Sequence, residues 1–390
     1  MKIASVALAL VLASCGSTTG PPLPDAPSLT IASIDVTPGT AAMKRGLDAP
    51  KQLAATAMLS NQTMRDVTTK ATWSSDNPAV ATVSDAGLVT PVGAGTVMIT
   101  AQDGNIQGSA TITVTIPKLF VTQASPIGID VFDVLATGAT PPLRSIRGGT
   151  NTTLTFPWKI EAFNNELYVA DQSAIDVFPI EGSGDIAPTR RITGAMTTIS
   201  GAYSLAIFNN ELYVGSLGKI QVFPVTASGN VAPTRTITNA AMTNIITALT
   251  IYNNELYVVH NTTSILVFPV TASGDVAPTR TIAGAQSGLG TVYDLQEHNG
   301  ELLIGSNQSI EAHLPTTTGN IAPLRQITGP TTQLGPVTGM FVVGNEMWAM
   351  NASVSGLTVF SAVAVGNVAP LRQLTGAATL LSSPRGLVVY

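Results

Sequence analysis

The sequence predicts an all-β chain: an N-terminal β-sandwich followed by a six-bladed β-propeller closed by the C-terminal strand. Three observations carry this. Hydrophobic residues make up 45% of the 390 residues and charged residues only 11%, while 35 Gly and 25 Pro separate short apolar runs; that is the profile of many strands joined by turns. From Thr30 to Ile116 apolar and polar residues alternate in short runs. From Leu119 onward the chain repeats itself every 44 to 46 residues, and a fixed period in that range marks a repeat architecture.

The first residues are a processing segment and stand outside the fold. Lys2 supplies a positive charge, and Ile3 to Leu12 form an apolar stretch too short to span a bilayer permanently. It ends in Leu12-Ala13-Ser14-Cys15, and Cys15 is the single cysteine of the chain. This segment resembles the lipobox of bacterial lipoproteins, which implies a signal peptide over residues 1–14 and lipidation of Cys15. The implied partner is a membrane, held through the lipid anchor. Gly16 after the cysteine implies the outer membrane, with the domains facing the periplasm or the surface. Residues 15–29 are Pro-rich and aperiodic and read as an extended, lipidated tether. A lone cysteine excludes any intramolecular disulfide, so the cores alone must hold the fold.

Residues 30–117 contain the sandwich strands, among them Ile34-Asp35-Val36, Val80-Ala81-Thr82-Val83 and Ala110 to Val114. The stretch Ala71-Thr72-Trp73-Ser74-Ser75-Asp76-Asn77-Pro78, with Gly87-Leu88-Val89 and Gly93-Ala94-Gly95-Thr96, resembles the bacterial immunoglobulin-like group 2 domain. The resemblance implies that Trp73 is the buried core aromatic, that Gly93 and Gly95 turn the chain where a Cβ would clash, and that the domain is a spacer.

Residues 118–390 carry the repeats. Asn164-Asn165-Glu166-Leu167-Tyr168-Val169 recurs at Asn209, Asn253, Asn299 and Gly344. Its first two residues suit a tight hairpin turn with positive φ. A second element, Gly184-Asp185-Ile186-Ala187-Pro188-Thr189-Arg190, recurs around Arg235, Arg280, Arg325 and Arg372, with a degenerate copy at Arg144. Each repeat supplies four strands, as in Leu205–Phe208, Glu211–Val214, Ile220–Val225 and Thr234–Ile237, which is one blade. Leu119-Phe120-Val121 begins at a second strand, and Gly386 to Tyr390 aligns with a first strand. The C-terminal strand is therefore expected to complete the first blade and remove an open edge. Leu167 to Asp171 and Ile175 to Phe178 resemble NHL-type repeats, which implies a six-bladed propeller without implying a function.

Arg144, Arg190, Arg235, Arg280, Arg325 and Arg372 are expected to be structural, bonding carbonyls between neighbouring blades, and Glu166, Glu211, Glu255, Glu301 and Glu346 to satisfy groups beside the hairpin turns. Propeller enzymes of the lactonase-like and phosphotriesterase-like kind place a metal in the central channel. Here the innermost strands offer only Glu161, Asp294, Glu297 and His298, and alternation turns Asp294 and Glu297 to opposite faces. His260, His298 and His313 occupy three different positions in their repeats and suggest neither a zinc cluster nor a nucleophilic triad. No catalytic residue, metal or cofactor is expected. A net charge of −5 without a basic cluster argues against nucleic acid.

Strand alternation puts the blade-to-blade connections and the second-to-third-strand loops on one face, and these segments vary from repeat to repeat. A ligand is expected there, on a face including Asp171, Gln172, Tyr203, His260, Asn261, Tyr293, Asn307, Gln308 and Asn351. Their amides and hydroxyls suit a neutral polar ligand, a protein loop or a carbohydrate. The functional expectation is a non-catalytic cell-envelope lipoprotein whose propeller binds protein or glycan. A metal-dependent hydrolase or lyase, or a structural part of an envelope assembly, are the alternatives.

Overall fold

A computed structural model describes residues 29–260 and 263–390. The signal peptide, Cys15, nearly all of the tether and Asn261 lie outside the described residues. What is described is all-β, interrupted by four single-turn 3-10 helices such as Ala195–Thr197.

The N-terminal domain is Ig-like. One sheet pairs Ile31–Thr37, Ala54–Leu59 and Met64–Asp66, and it faces a second built from Thr40–Lys44, Ile106–Thr115, Gly95–Asp103 and Thr72–Ser75. Alternating residues turn inward, so Val36, Ala55, Ala57, Val97, Ile99, Ile112 and Val114 fill one core. Trp73 is 7% exposed and its indole N–H donates to the Thr68 carbonyl at 2.8 Å. A Cβ on Gly93 would stand 2.5 Å from the Ala79 carbonyl oxygen, and one on Gly95 2.9 Å from Val80, where φ is already 143°. Both glycines are demanded by close approach, as the resemblance implied.

Six antiparallel sheets of four core strands follow. The first pairs Lys118–Ala124, Ile127–Asp133 and Arg144–Ile146 with Pro384–Val389. That last strand runs against Lys118–Ala124, with Phe120 opposite Val388. The other five sheets begin at the innermost strands Pro157–Phe163, Ser204–Phe208, Ile246–Tyr252, Asp294–His298 and Val337–Val343. These six innermost strands touch one another in a closed cycle, the sixth sheet returning to Pro384–Val389 and that strand to Pro157–Phe163.

Three further cycles follow the same order. Each apolar cluster is filled by two neighbouring sheets, including one in which Leu119, Phe132 and Leu387 of the first sheet meet Trp348, Leu357 and Leu374 of the sixth. The outermost strand of each sheet bridges in parallel to a glycine of the next, as Ile192 does to Gly229 and Leu374 to Gly138. Those glycines hold φ between 61° and 78° with open space where a Cβ would stand, so backbone conformation and not crowding selects them. The Asn-Asn turns take φ of 49° and 61° at Asn164-Asn165, Asn209-Asn210 and Asn253-Asn254, the left-handed pair of a two-residue hairpin.

The repeated arginines close the fourth cycle. Arg190 donates to the Val225 carbonyl of the next sheet at 2.7 Å, Arg235 to Val270, Arg280 to Pro315, Arg325 to Ala362, Arg372 to Val134 and Arg144 to Ile180. The glutamates behave differently from expectation. Glu166, Glu211, Glu255, Glu301 and Glu346 each pair with the arginine of their own sheet, the two side chains meeting across the third strand, where Pro179 lies opposite Glu166 and Val177 opposite Arg190. Tyr168, Tyr213 and Tyr257 add their hydroxyls to this fork.

Candidate functional site

The innermost strands surround a central channel, and residues at one repeat position form its mouth. Two residues before the buried Ile160, Leu205, Leu249, Leu295, Met340 and Leu387 stand Trp158, Tyr203, Thr247, Tyr293, Thr338 and Arg385. All six, one from each sheet, line a single cavity of about 320 Å³ with Lys159, Ile245 and Asp294. The mouth lies on the face predicted to vary, where the connections between sheets arrive.

Strict alternation would send only one of two adjacent residues into the channel. The innermost strands evade it with register shifts between Pro157 and Ile160, Ile246 and Leu249, and Val337 and Gly339. Such bulges re-aim side chains, so Trp158 and Lys159 both reach the cavity.

Its aromatic wall is continuous. Trp158 meets Phe156 edge-on at 5.5 Å and Tyr203 at 5.0 Å between ring centroids. The Arg385 guanidinium lies over Trp158 at 4.5 Å and over Phe156 at 5.4 Å, a cation–π arrangement. Arg385 has no carboxylate within ion-pair distance among the described residues, and burial lowers its pKa. Among the lining residues three polar atoms, Trp158 Nε1, Thr247 Oγ1 and Arg385 Nε, are buried without a hydrogen-bond partner within the protein.

The floor is an ion pair across the channel. Lys159 Nζ lies 2.9 Å and 3.0 Å from the two oxygens of Asp294, on the sheet opposite, and the Met340 N–H donates to Asp294 at 2.6 Å. Burial works against the Lys159 charge, but Asp294 and Glu161 outweigh it and raise the Lys159 pKa. Beneath the pair a smaller cavity of about 130 Å³ is lined by Glu161, Ala206, Thr250, Gln296 and Phe341. Burial pushes the Glu161 carboxyl up to about 7, with Lys159 opposing and Asp294 assisting the rise.

Of the residues expected on the ligand face, Tyr203 and Tyr293 line the mouth. The Tyr293 hydroxyl donates to Asn307 at 2.9 Å, which sets Asn307 on the rim. Gln172 and Gln308 are exposed at loop tips, and Gln172 borders a groove between the second and third sheets whose other wall is Tyr203. Three residues must be corrected. Asp171 is 1% exposed and accepts from the Thr155 and Phe156 backbone. Asn351 is fully buried and accepts from Gly335 N while donating to the Gln333 carbonyl. His260 is 4% exposed, and burial lowers its pKa. All three end the second strand of their sheet, where the incoming connection covers them. Asp171 and Asn351 staple loops, and the His260 ring is buried with its Nε2 lacking a hydrogen-bond partner.

Glu297 and His298 lie at the hairpin end, where Glu297 accepts from the Gly300 N–H at 2.8 Å and His298 contacts Asn299 at 2.9 Å. Buried His313 contacts the Ser287 carbonyl at 3.0 Å. Among the described residues no three His, Cys, Asp or Glu side chains converge as a metal site. Sequence reasoning missed Trp158, Lys159, Thr247, Thr338 and Arg385. Counting back from the turn in every repeat would have aligned the mouth positions, and their dissimilarity is the signal.

Residues 30–115 match the family model described as "Bacterial Ig-like domain (group 2)". Over 102 residues, 26% of this chain and 11% of the relative, the sequence is 35% identical to "Ice-binding protein 1" of Shewanella frigidimarina; the chain thus spans about a tenth of that relative's length. Among solved structures, a functionally unknown protein from Desulfotomaculum acetoxidans aligns with a TM-score of 0.48 at 9% identity, over 70% of this chain and 98% of that one. The computationally designed Ika8 protein aligns with a TM-score of 0.42 at 15% identity, over 66% and 83%.

Proposed function

We propose that this chain is a non-catalytic binding module of the cell envelope. The six sheets are the blades of an NHL-like propeller, the Ig-like domain is a spacer, and Cys15 anchors the assembly by lipid, at the outer membrane. The propeller takes a protein or glycan ligand at the channel mouth. Supporting the propeller reading are the cycles of strand, apolar, bridge and arginine contacts. The observation that carries the function is the mouth ring itself. At positions that frame each blade the repeats agree, yet at this one they are Trp, Tyr, Thr, Tyr, Thr and Arg. A ring built only for packing has no use for an unpaired arginine among aromatics and unsatisfied donors.

The Ig-like match and the distant relative, whose name refers to ice, support an exposed, non-catalytic protein and say nothing about this propeller's ligand. The metal-hydrolase alternative would need Asp294 and Glu161 free for a cation, but the Lys159 ammonium contacts one carboxylate and attracts the other. Chelator or added Ca²⁺ should leave thermal unfolding unmoved, and a bound stoichiometric metal would overturn the reading. The direct test is a glycan and partner screen with the full chain and with Thr247→Trp/Thr338→Trp, which fills the mouth. Binding abolished by filling supports the site. Binding indifferent to filling places the ligand elsewhere or makes the chain an assembly component.

A further inference from the structure

Resting on that reading of the mouth, we infer that the site takes a single acidic sugar ring, its carboxylate on Arg385 and its flat face on Trp158 and Tyr203. This departs from the neutral ligand that the loop composition suggests, and charge decides the difference. Lys159 is neutralised by Asp294 at 2.9 Å, which leaves Arg385 as the cation without a carboxylate partner among the cavity's lining. The guanidinium packs over Trp158 and Phe156, which fixes its plane and orients the fork that carboxylates accept.

The rest of the wall selects the body of the ligand. A ring with hydrophobic C–H faces packs on aromatic rings, and the mouth supplies Trp158, Tyr203 and Tyr293. A simple aromatic acid would satisfy Arg385 but offer no partner to the hydroxyl-bearing side chains of the lining, Tyr203, Thr247, Tyr293 and Thr338, and covering such groups without a partner carries a desolvation cost. Ring hydroxyls answer these side chains, and a sugar acid carries a carboxylate and hydroxyls on one body. Size sets the length: about 320 Å³ is near the lower limit of small-ligand sites, and the Lys159–Asp294 floor stops anything longer from threading the channel. The ligand is therefore one ring deep, a terminal unit entering from the variable face.

The test titrates the full chain calorimetrically with D-glucuronate, D-glucose and benzoate, with tryptophan fluorescence as a second readout. Glucuronate should bind at least about tenfold more tightly than either comparator, the difference a charge-assisted hydrogen bond or an unsatisfied pair makes. Arg385→Gln should reduce glucuronate to the level of glucose. Thr247→Val, which keeps the side-chain shape, should weaken glucuronate about tenfold and leave benzoate unchanged; it serves as the deciding variant if Arg385→Gln unfolds. Glucose equal to glucuronate, or glucuronate indifferent to Arg385→Gln in a folded protein, overturns the acidic assignment. Benzoate equal to or tighter than glucuronate overturns the sugar. If none of the three binds while another partner is lost on filling the mouth, the ligand class is wrong and the binding-module reading stands. If filling the mouth changes nothing either, both fall.

Discussion

Lys159 and Asp294 meet across the channel from opposite sheets, 2.9 Å apart, with side chains 10% and 3% exposed. Neither charge has water enough to survive alone, so the pair is a joint between sheets far apart in sequence. Lys159→Met should cost about 3–5 kcal/mol, because an unpaired carboxylate stays buried. The double variant Lys159→Met/Asp294→Asn keeps an acceptor for the Met340 N–H and should recover most of that loss. Chemical denaturation of the three proteins checks both statements, and a double variant no better than the single one would show that the pair is not the cause.

Two buried acids make stability fall as pH rises. Burial pushes Glu161 up to about 7. It pushes Asp176 up to about 6 against the pull of Arg191, whose Nε lies 2.9 Å away without aiming its N–H at the oxygen. A folded pKa above the unfolded value means that the native state holds the proton more tightly. The stability this confers is complete below about pH 4 and is lost as pH rises through 6 and 7. Melting temperature should be higher at pH 5 than at pH 8. Asp176→Asn should remove a share on the order of 2 kcal/mol of that dependence, and Glu161→Gln should flatten its upper part. Identical pH profiles for wild type and both variants would falsify the assignment.

The outer arginines should not tolerate lysine. Arg235 donates to Glu211 at 2.8 Å, to the Tyr213 hydroxyl at 2.7 Å and to the Val270 carbonyl of the next sheet at 2.7 Å. A lysine cannot present that fork, so Arg235→Lys should cost about 1–3 kcal/mol, close to Arg235→Ala. Arg144, whose acidic partner Glu181 is 81% exposed, should lose less on the same change. Thermal unfolding of the three single variants ranks them.

Removing residues 384–390 should open the ring. Lys118–Ala124 would lose its partner strand and Pro157–Phe163 a neighbour, exposing a strand edge that invites self-association. Size-exclusion chromatography and the cooperativity of unfolding report this; a monomer that still unfolds in one sharp transition would count against closure by this strand.

The frame of the molecule was legible because its physics recurs. The Asn-Asn turns need left-handed backbone, the loop glycines need positive φ, and each arginine needs its carbonyl, so these residues return at a fixed period. The phase of the repeat also pointed to Gly386 to Tyr390 as the partner of Leu119 to Val121, and these strands pair. The site was not legible by the same route, since its residues are those that fail to recur. Asp171, His260 and Asn351 looked like ligand groups because they border variable loops, but all three are buried at strand ends, and Asp171 and Asn351 serve as anchors for those loops. Glu161 and Asp294 were already placed on the innermost strands, but Lys159, which joins them, escaped because those strands lie more than a hundred residues apart and the bulges that turn neighbours the same way leave no mark in the sequence.

Arg385 lies on the strand that completes the first sheet, yet it works against Trp158, made more than two hundred residues earlier. On a growing chain the aromatic wall can exist while the cation is still missing, so a nascent or clipped product carries half a pocket. The mouth is thereby tied to the presence of the strand Pro384–Val389. The proposed ligand, held by Arg385 and Tyr203 together, would clasp the seam of the ring, so that occupancy and closure would become one linked equilibrium, each favouring the other by mass action.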